Sequence, residues 1–226
     1  MKTKVFYLVL CMAIIVPFSA VSAQLTKEQL KERKEIAAST KSKVNEKASK
    51  AAKKEAKSLQ KQGWLTAPGA LPLEKQLDKS YQMQYEYDSD MYPKYVMGEG
   101  MSIGENYDAA KMQAIELAKQ NMAGQIQNEI SALIENSVAN EQLAPEEANS
   151  ITKSIMAGKN IISQSIGRTI VVMEAYRVLP NKNREVLVRV AYSSEMSKAA
   201  AKRAAQESLG EQSQQLQGKL DYILGL

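Results

Sequence analysis

Residues 168–192, RTIVVMEAYRVLPNKNREVLVRVAY, decide the fold class. Arg168–Leu179 and Arg184–Tyr192 are rich in β-branched residues. Pro180-Asn181-Lys182-Asn183 between them is turn chemistry, so the stretch predicts a β-hairpin. In its second strand Val186, Val188, Val190 and Tyr192 share one face, while Glu185 and Arg189 share the other.

Upstream, Lys94–Ile103 (KYVMGEGMSI) reads as a strand interrupted by Gly98 and Gly100. Asn106 then caps a long helix from Tyr107 to about Asn140, with Asp108 placed to favour the positive end of its dipole. The apolar stripe of this helix is Ala110, Ala114, Leu117, Ala118, Met122, Ile126, Ile130, Leu133, Ile134 and Val138, with an alanine-rich first half. Pro145-Glu146-Glu147 opens a second helix that runs to about Ser165, with Gly158 as a kink. Downstream of the hairpin, Ser194 caps a helix rich in alanine (199–201, 204, 205), which Gly210 interrupts. The order is strand, long helix, helix, β-hairpin, helix. It predicts an α+β domain over 94–209, a small antiparallel sheet with helices on one face. Residues 210–226 read as a C-terminal amphipathic helix with Leu216, Leu220 and Ile223 on its stripe.

Residues 64–93 read as a linker and a short helix. Trp64 and Leu65 are expected to dock the linker, and Pro72 suits the first turn of a helix carrying Leu73, Leu77, Tyr81 and Tyr85 on one face. Six tyrosines fall between positions 81 and 107. Tyr85, Tyr87, Tyr92 and Tyr95 are the candidate interaction surface: exposed together, such rings stack on sugars or build a protein interface. The alternative is that they pin an irregular segment to the domain.

Residues 24–63 read as a long basic helix. Thr26-Lys27-Glu28-Gln29 has the form of a capping box, no Pro or Gly interrupts the run to Lys61, and Gly63 supplies a stop. Fully helical, about 36 residues would form a rod of about 54 Å. Before it, Lys2 and Lys4, the apolar run Val5–Phe18 and the small residues up to Ala23 have the layout of a secretory signal peptide over 1–23. Leu10 precedes the single cysteine, Cys11, which does not match a lipidation signal. The expected location is the periplasm, in solution or peripheral to the outer membrane.

Composition narrows the chemistry. The 226 residues include no histidine and one cysteine, which excludes Ser-His-Asp and Cys-His nucleophile pairs and histidine-bound metals. The formal net charge is +5. It is unevenly spread: residues 27–61 hold 12 basic and 5 acidic residues, net +7, while 62–226 hold 16 basic and 20 acidic, net −4. The basicity therefore belongs to one arm. Lys41, Lys43, Lys47, Lys50, Lys53 and Lys54 are the candidate polyanion-binding residues, and anionic lipid or lipopolysaccharide fits an exported protein better than nucleic acid does. The alternatives are a solvated helix and an arm packed along the C-terminal tail.

Gly98-Glu99-Gly100-Met101, then Asp108-Ala109-Ala110-Lys111, Ala114, Ala118 and Ala123-Gly124-Gln125-Ile126, resemble the start of the envelope domain of the bacterial twenty-kilodalton lipoprotein family. A related domain forms the N-terminal part of a flagellar ring-assembly protein. The resemblance spans roughly residues 94–205. It implies the strand, alanine-rich helix and paired-strand fold and a cell-envelope location, and it carries over no functional residue.

Other motifs are weaker. Gly98-x-Gly100-x-x-x-Gly104 has the wrong spacing for a dinucleotide fingerprint and suits close approach of helix to strand. Glu99, Glu105 and Asp108 offer carboxylates for a hydrolase without the paired environments acid–base work needs. Asp88-Ser89-Asp90 lacks the ligands and glycine of a calcium loop. The sequence therefore predicts no catalytic residue, metal or cofactor. It predicts an exported, non-enzymatic envelope protein with an envelope protein partner, homo-oligomerisation included. The alternatives are surface binding through the basic helix and hydrolysis of envelope polymers by acidic residues.

Overall fold

A computed structural model describes residues 31, 47–89, 91–209 and 214–225. The chain divides into two compact units, Met1–Glu46 and Lys47–Leu226. In the first, only Lys31 is described, and it is helical. The signal sequence, the capping box at Thr26, and Lys41 and Lys43 lie outside the described residues, as do Asp90 and Gly210.

The second unit is α+β, as expected. It contains α1 (Lys50–Lys61), β1 (Leu65–Thr66), α2 (Leu73–Gln84), β2 (Tyr95–Gly104), α3 (Tyr107–Ala139), α4 (Pro145–Ala157), α5 (Lys159–Ser165), β3 (Ile170–Val178), β4 (Arg184–Ser193), α6 (Ser194–Leu209) and α7 (Gln214–Leu224). The sheet order is β1-β3-β4-β2, and every pairing is antiparallel. The predicted hairpin closes as read: Leu179 N–H donates to Asn183 O at 2.9 Å, and Asn181 Oδ1 accepts from Asn183 N–H at 3.1 Å. Asn106 caps α3, its side chain accepting from Ala109 N–H at 2.9 Å.

The glycines of β2 and the alanines of α3 make one joint. A Cβ on Gly98 would lie 2.5 Å from the carbonyl oxygen of Ala118 and from Met122 Cγ. One on Gly100 would overlap the Ala114 carbonyl and lie 2.6 Å from the Ala118 amide nitrogen. Only glycine admits helix backbone this close to a strand. Above the joint, Val96, Val186, Val188, Val190 and Tyr192 pack with Ala110, Ala114, Ala118, Ile126 and Ile134 of α3 and with the buried alanines of α6. Gly158, the predicted kink, separates α4 from α5 and lets α6 approach, since a Cβ there would meet Ala204 Cβ at 2.8 Å.

Helices on one face describe only α3–α7; the opposite face is covered too. Ala48, Ala52, Ala56, Trp64, Leu73 and Leu77 pack there on Met173, Ala175 and Leu187. The charged residues of that face are paired: Glu185 accepts from Arg177 Nε at 2.5 Å, and Arg189 bridges Glu55 of α1 at 2.8 Å and Glu99 of β2 at 2.6 Å. Tyr81 of α2 donates to Glu55. Burial first, then that bond, raise the Tyr81 hydroxyl above its ordinary pKa. The charges of β4 on this face thus mark a clamped interface, with Leu187 between them and Ala191 beyond Arg189 supplying apolar contacts.

Two further expectations change. Residues 47–49 are not helical, so no uninterrupted rod covers 27–61; Ser49 starts α1 afresh, its side chain accepting from Ala52 N–H at 3.2 Å. Trp64 docks as predicted, with Arg177 4.8 Å over its ring, but Leu65 attaches through backbone pairing with Tyr176 and leaves its side chain exposed. The Gln76 carboxamide finishes the sheet edge beyond the two-residue β1. Its Oε1 accepts from Glu174 N–H at 2.8 Å and its Nε2 donates to Leu71 O at 2.6 Å.

Candidate functional site

Between α2 and β2 the chain forms a short finger. Tyr87 and Pro93 pair across it, Lys94 N–H donates to Glu86 O at 2.8 Å, and the Lys94 and Glu86 side chains meet at 2.9 Å. At the tip, Asp88 N–H donates to Tyr92 O and Tyr92 N–H donates to Asp88 Oδ1, each at 2.9 Å. Met91 takes a left-handed conformation, φ 63°. The finger presents Tyr85, Tyr87, Met91 and Tyr92, which are 66%, 44%, 75% and 58% exposed. Tyr95, the fourth candidate ring, is half-buried against Met83, Val172 and Ala191. Tyr81 and Tyr107 also turn inward; Tyr107 packs edge-on to Tyr176 with centroids 5.5 Å apart. The tyrosine-rich segment therefore divides, one half pinning the chain and the other displayed.

Tyr92 also stands beside a cleft of about 420 Å³, which Asn136, Asn140, Gln142 and Tyr222 line with it. The end of α3 shapes this cleft. Glu141 is left-handed (φ 59°), its N–H donating to Val138 O and the Gln142 N–H to Ser137 O, the double closure of a helix C-terminus. Tyr222 arrives on α7, which Lys219 ties to Glu147 of α4 at 2.6 Å and Lys202 of α6 ties to Asp221 at 2.9 Å. The Glu147 carboxyl is held below its ordinary range by the Lys219 ammonium and then by the Ala144 N–H. No spacing pattern marks this constellation, because its members lie on three segments distant in sequence.

Of the candidate polyanion-binding lysines, Lys47, Lys50, Lys53 and Lys54 are described and exposed. The apolar side of α1 is spent on the cluster it shares with α2, Trp64 and the sheet, so its lysines face away from that cluster, and none of the four pairs with a described carboxylate. The structure does not assemble the three acidic candidates. Glu99 is engaged by Arg189, Asp108 occupies the first turn of α3, and Glu105 precedes that helix. Among the described residues no cluster of acidic side chains has the make-up of a metal site, and no helix is long and apolar enough to cross a membrane.

Compared with known proteins, the chain matches no family model, no curated protein and no solved structure.

Proposed function

We propose that this is an exported, non-enzymatic cell-envelope protein that acts as a protein-interaction module through its tyrosine finger. What carries the reading is the display of Tyr85, Tyr87, Met91 and Tyr92 on a segment braced by its own hydrogen bonds. Tyrosine and methionine are favoured at protein interfaces, and a braced segment loses little freedom on binding. The export layout of residues 1–23 and the resemblance of 94–205 to the twenty-kilodalton lipoprotein family support the envelope location. A photo-crosslinking residue at Tyr87, activated in intact cells, should give one dominant protein adduct that Tyr85→Ala weakens. Uncrosslinked monomer alone, from probes at both Tyr85 and Tyr87, would remove the reading. An adduct at twice the chain mass would identify a second copy as the partner.

One observation favours a second reading, binding of anionic lipid or lipopolysaccharide. The lysines of α1 face outward, with no ion-pair partner among the described residues, on a helix anchored by its other side, an arrangement that attracts polyanions without any base-reading motif. Co-sedimentation with vesicles containing phosphatidylglycerol should fall as salt rises and disappear when Lys50, Lys53 and Lys54 are changed to Glu. Equal binding by wild type and variant would dismiss it.

A further inference from the structure

We infer that the cleft between the finger, the end of α3 and α7 is a binding site for a neutral saccharide. The first ground is its composition. In a chain that is 24% charged, no charged side chain lines this cleft among the described residues. Its polar side chains are the carboxamides of Asn136, Asn140 and Gln142 and the hydroxyls of Tyr92, Tyr222 and Ser137, the last already donating to Leu133 O at 2.9 Å. The carboxamides hydrogen-bond to no described side chain or backbone group. A carboxamide offers two donors and an acceptor with two lone pairs, which matches sugar hydroxyls that both give and take hydrogen bonds. A phosphate or carboxylate ligand would need cationic partners, and none lines the cleft among the described residues.

The second ground is the pair of rings. Tyr92 and Tyr222 are 58% and 74% exposed, although an aromatic side chain gains by burial. Aromatic faces are electron-rich, and the C–H faces of a pyranose are electron-poor, so a sugar covers such a ring without requiring a dry pocket. The third ground is how the site is held. Tyr92 is fixed by two bonds with Asp88, Asn140 and Gln142 by the closure of α3, and Tyr222 by the two ion pairs of α7. The volume, about 420 Å³, falls in the range of small-ligand sites. A mono- or disaccharide unit is the ligand, bound through its uncharged face.

The cleft shares Tyr92 with the finger's proposed protein interface, but it also needs Tyr222, Asn136 and Asn140 and does not need Tyr85 or Tyr87. The test is saturation-transfer NMR on the full chain with N,N′-diacetylchitobiose, maltotriose and lactose, and a heparin disaccharide as the anionic comparison. At least one neutral sugar should transfer saturation from the protein. Its titration should weaken about tenfold in Tyr222→Ala, the value of one lost ring contact, and comparably in an Asn136→Ala/Asn140→Ala double variant. Tyr85→Ala should bind unchanged. Tyr222 is exposed, so its removal leaves folding intact, and circular dichroism of each variant verifies this. Transfer to the heparin disaccharide alone, to none of the sugars, or equally in wild type and Tyr222→Ala overturns the inference.

Discussion

At the residue scale, the joint between β2 and α3 makes the sharpest demand. Gly100 leaves no room for a methyl group, because the blocking atoms are helix backbone, which cannot turn aside as a side chain does. Gly100→Ala should therefore destabilise the domain by about 3 kcal/mol, the upper range for overpacking a core, and lower Tm by about 10 °C. Gly124, on the same helix, is the opposite case. A Cβ there would only touch Lys159 Nζ at 3.6 Å, and its φ is ordinary for a helix. Gly124→Ala should raise stability by about 0.5–1 kcal/mol through helix propensity and the stiffer unfolded chain. Paired thermal melts check both signs; equal effects at the two positions would mean the close approach is not what holds Gly100. This joint was legible in the sequence because a glycine pair beside an alanine stripe has a steric meaning at any distance of resemblance. The cleft was not, because a carboxamide on a helix end and a tyrosine on a tail look like ordinary surface until the fold brings them together.

At the scale of elements, α7 packs on the core through Leu220 and Leu224, with Leu216 and Ile223 partly buried beside them, and two ion pairs tie it to α4 and α6. Glu147 is titratable within reach of experiment. Its folded-state pKa is depressed, so its contribution is complete above the ordinary carboxylate range and is lost as pH falls through the folded value. Acidification should loosen α7 before the sheet. Amide exchange over 214–224, corrected for intrinsic rates, should accelerate relative to α3 on acidification. In Glu147→Gln, α7 should already exchange faster at neutral pH and respond less to acid. The Lys202–Asp221 pair persists in that variant, so the comparison isolates Glu147. The same scale shows why the second helical layer went unread. Glu185 and Arg189 alternate with the valines of β4, the usual pattern of a wet face. Their neutralisation depends on Arg177, Glu55 and Glu99, residues on three other strands and helices, and no local pattern in β4 announces partners so remote.

At the scale of the whole molecule, the question is where the basic arm ends and the body begins. The charge count places the boundary near Gly63, where +7 gives way to −4. The packing places it between Glu46 and Lys47. Charge reports the solvent-facing side of α1, whereas Ala48, Ala52, Ala56 and Glu55 on its other side belong to the core and to the Arg189 clamp. Two deletions separate these boundaries. Removing residues 24–46 should leave the cooperative unfolding of the second unit within about 0.5 kcal/mol of the intact chain, as for changes outside the packed core. Removing 24–61 should strip Ala48, Ala52 and Ala56 from the cluster over Met173, Ala175 and Leu187, leaving Trp64, Leu73 and Leu77 there, and leave Arg189 with one of its two carboxylates. Exposing that apolar face and loosening the clamp should cost about 3 kcal/mol or more, seen as a lower denaturant midpoint and as aggregation in dilute salt. If both deletions unfolded alike, the first unit would be part of the stabilising core. If neither did, α1 would be an appendage, and its alanines would be buried without consequence.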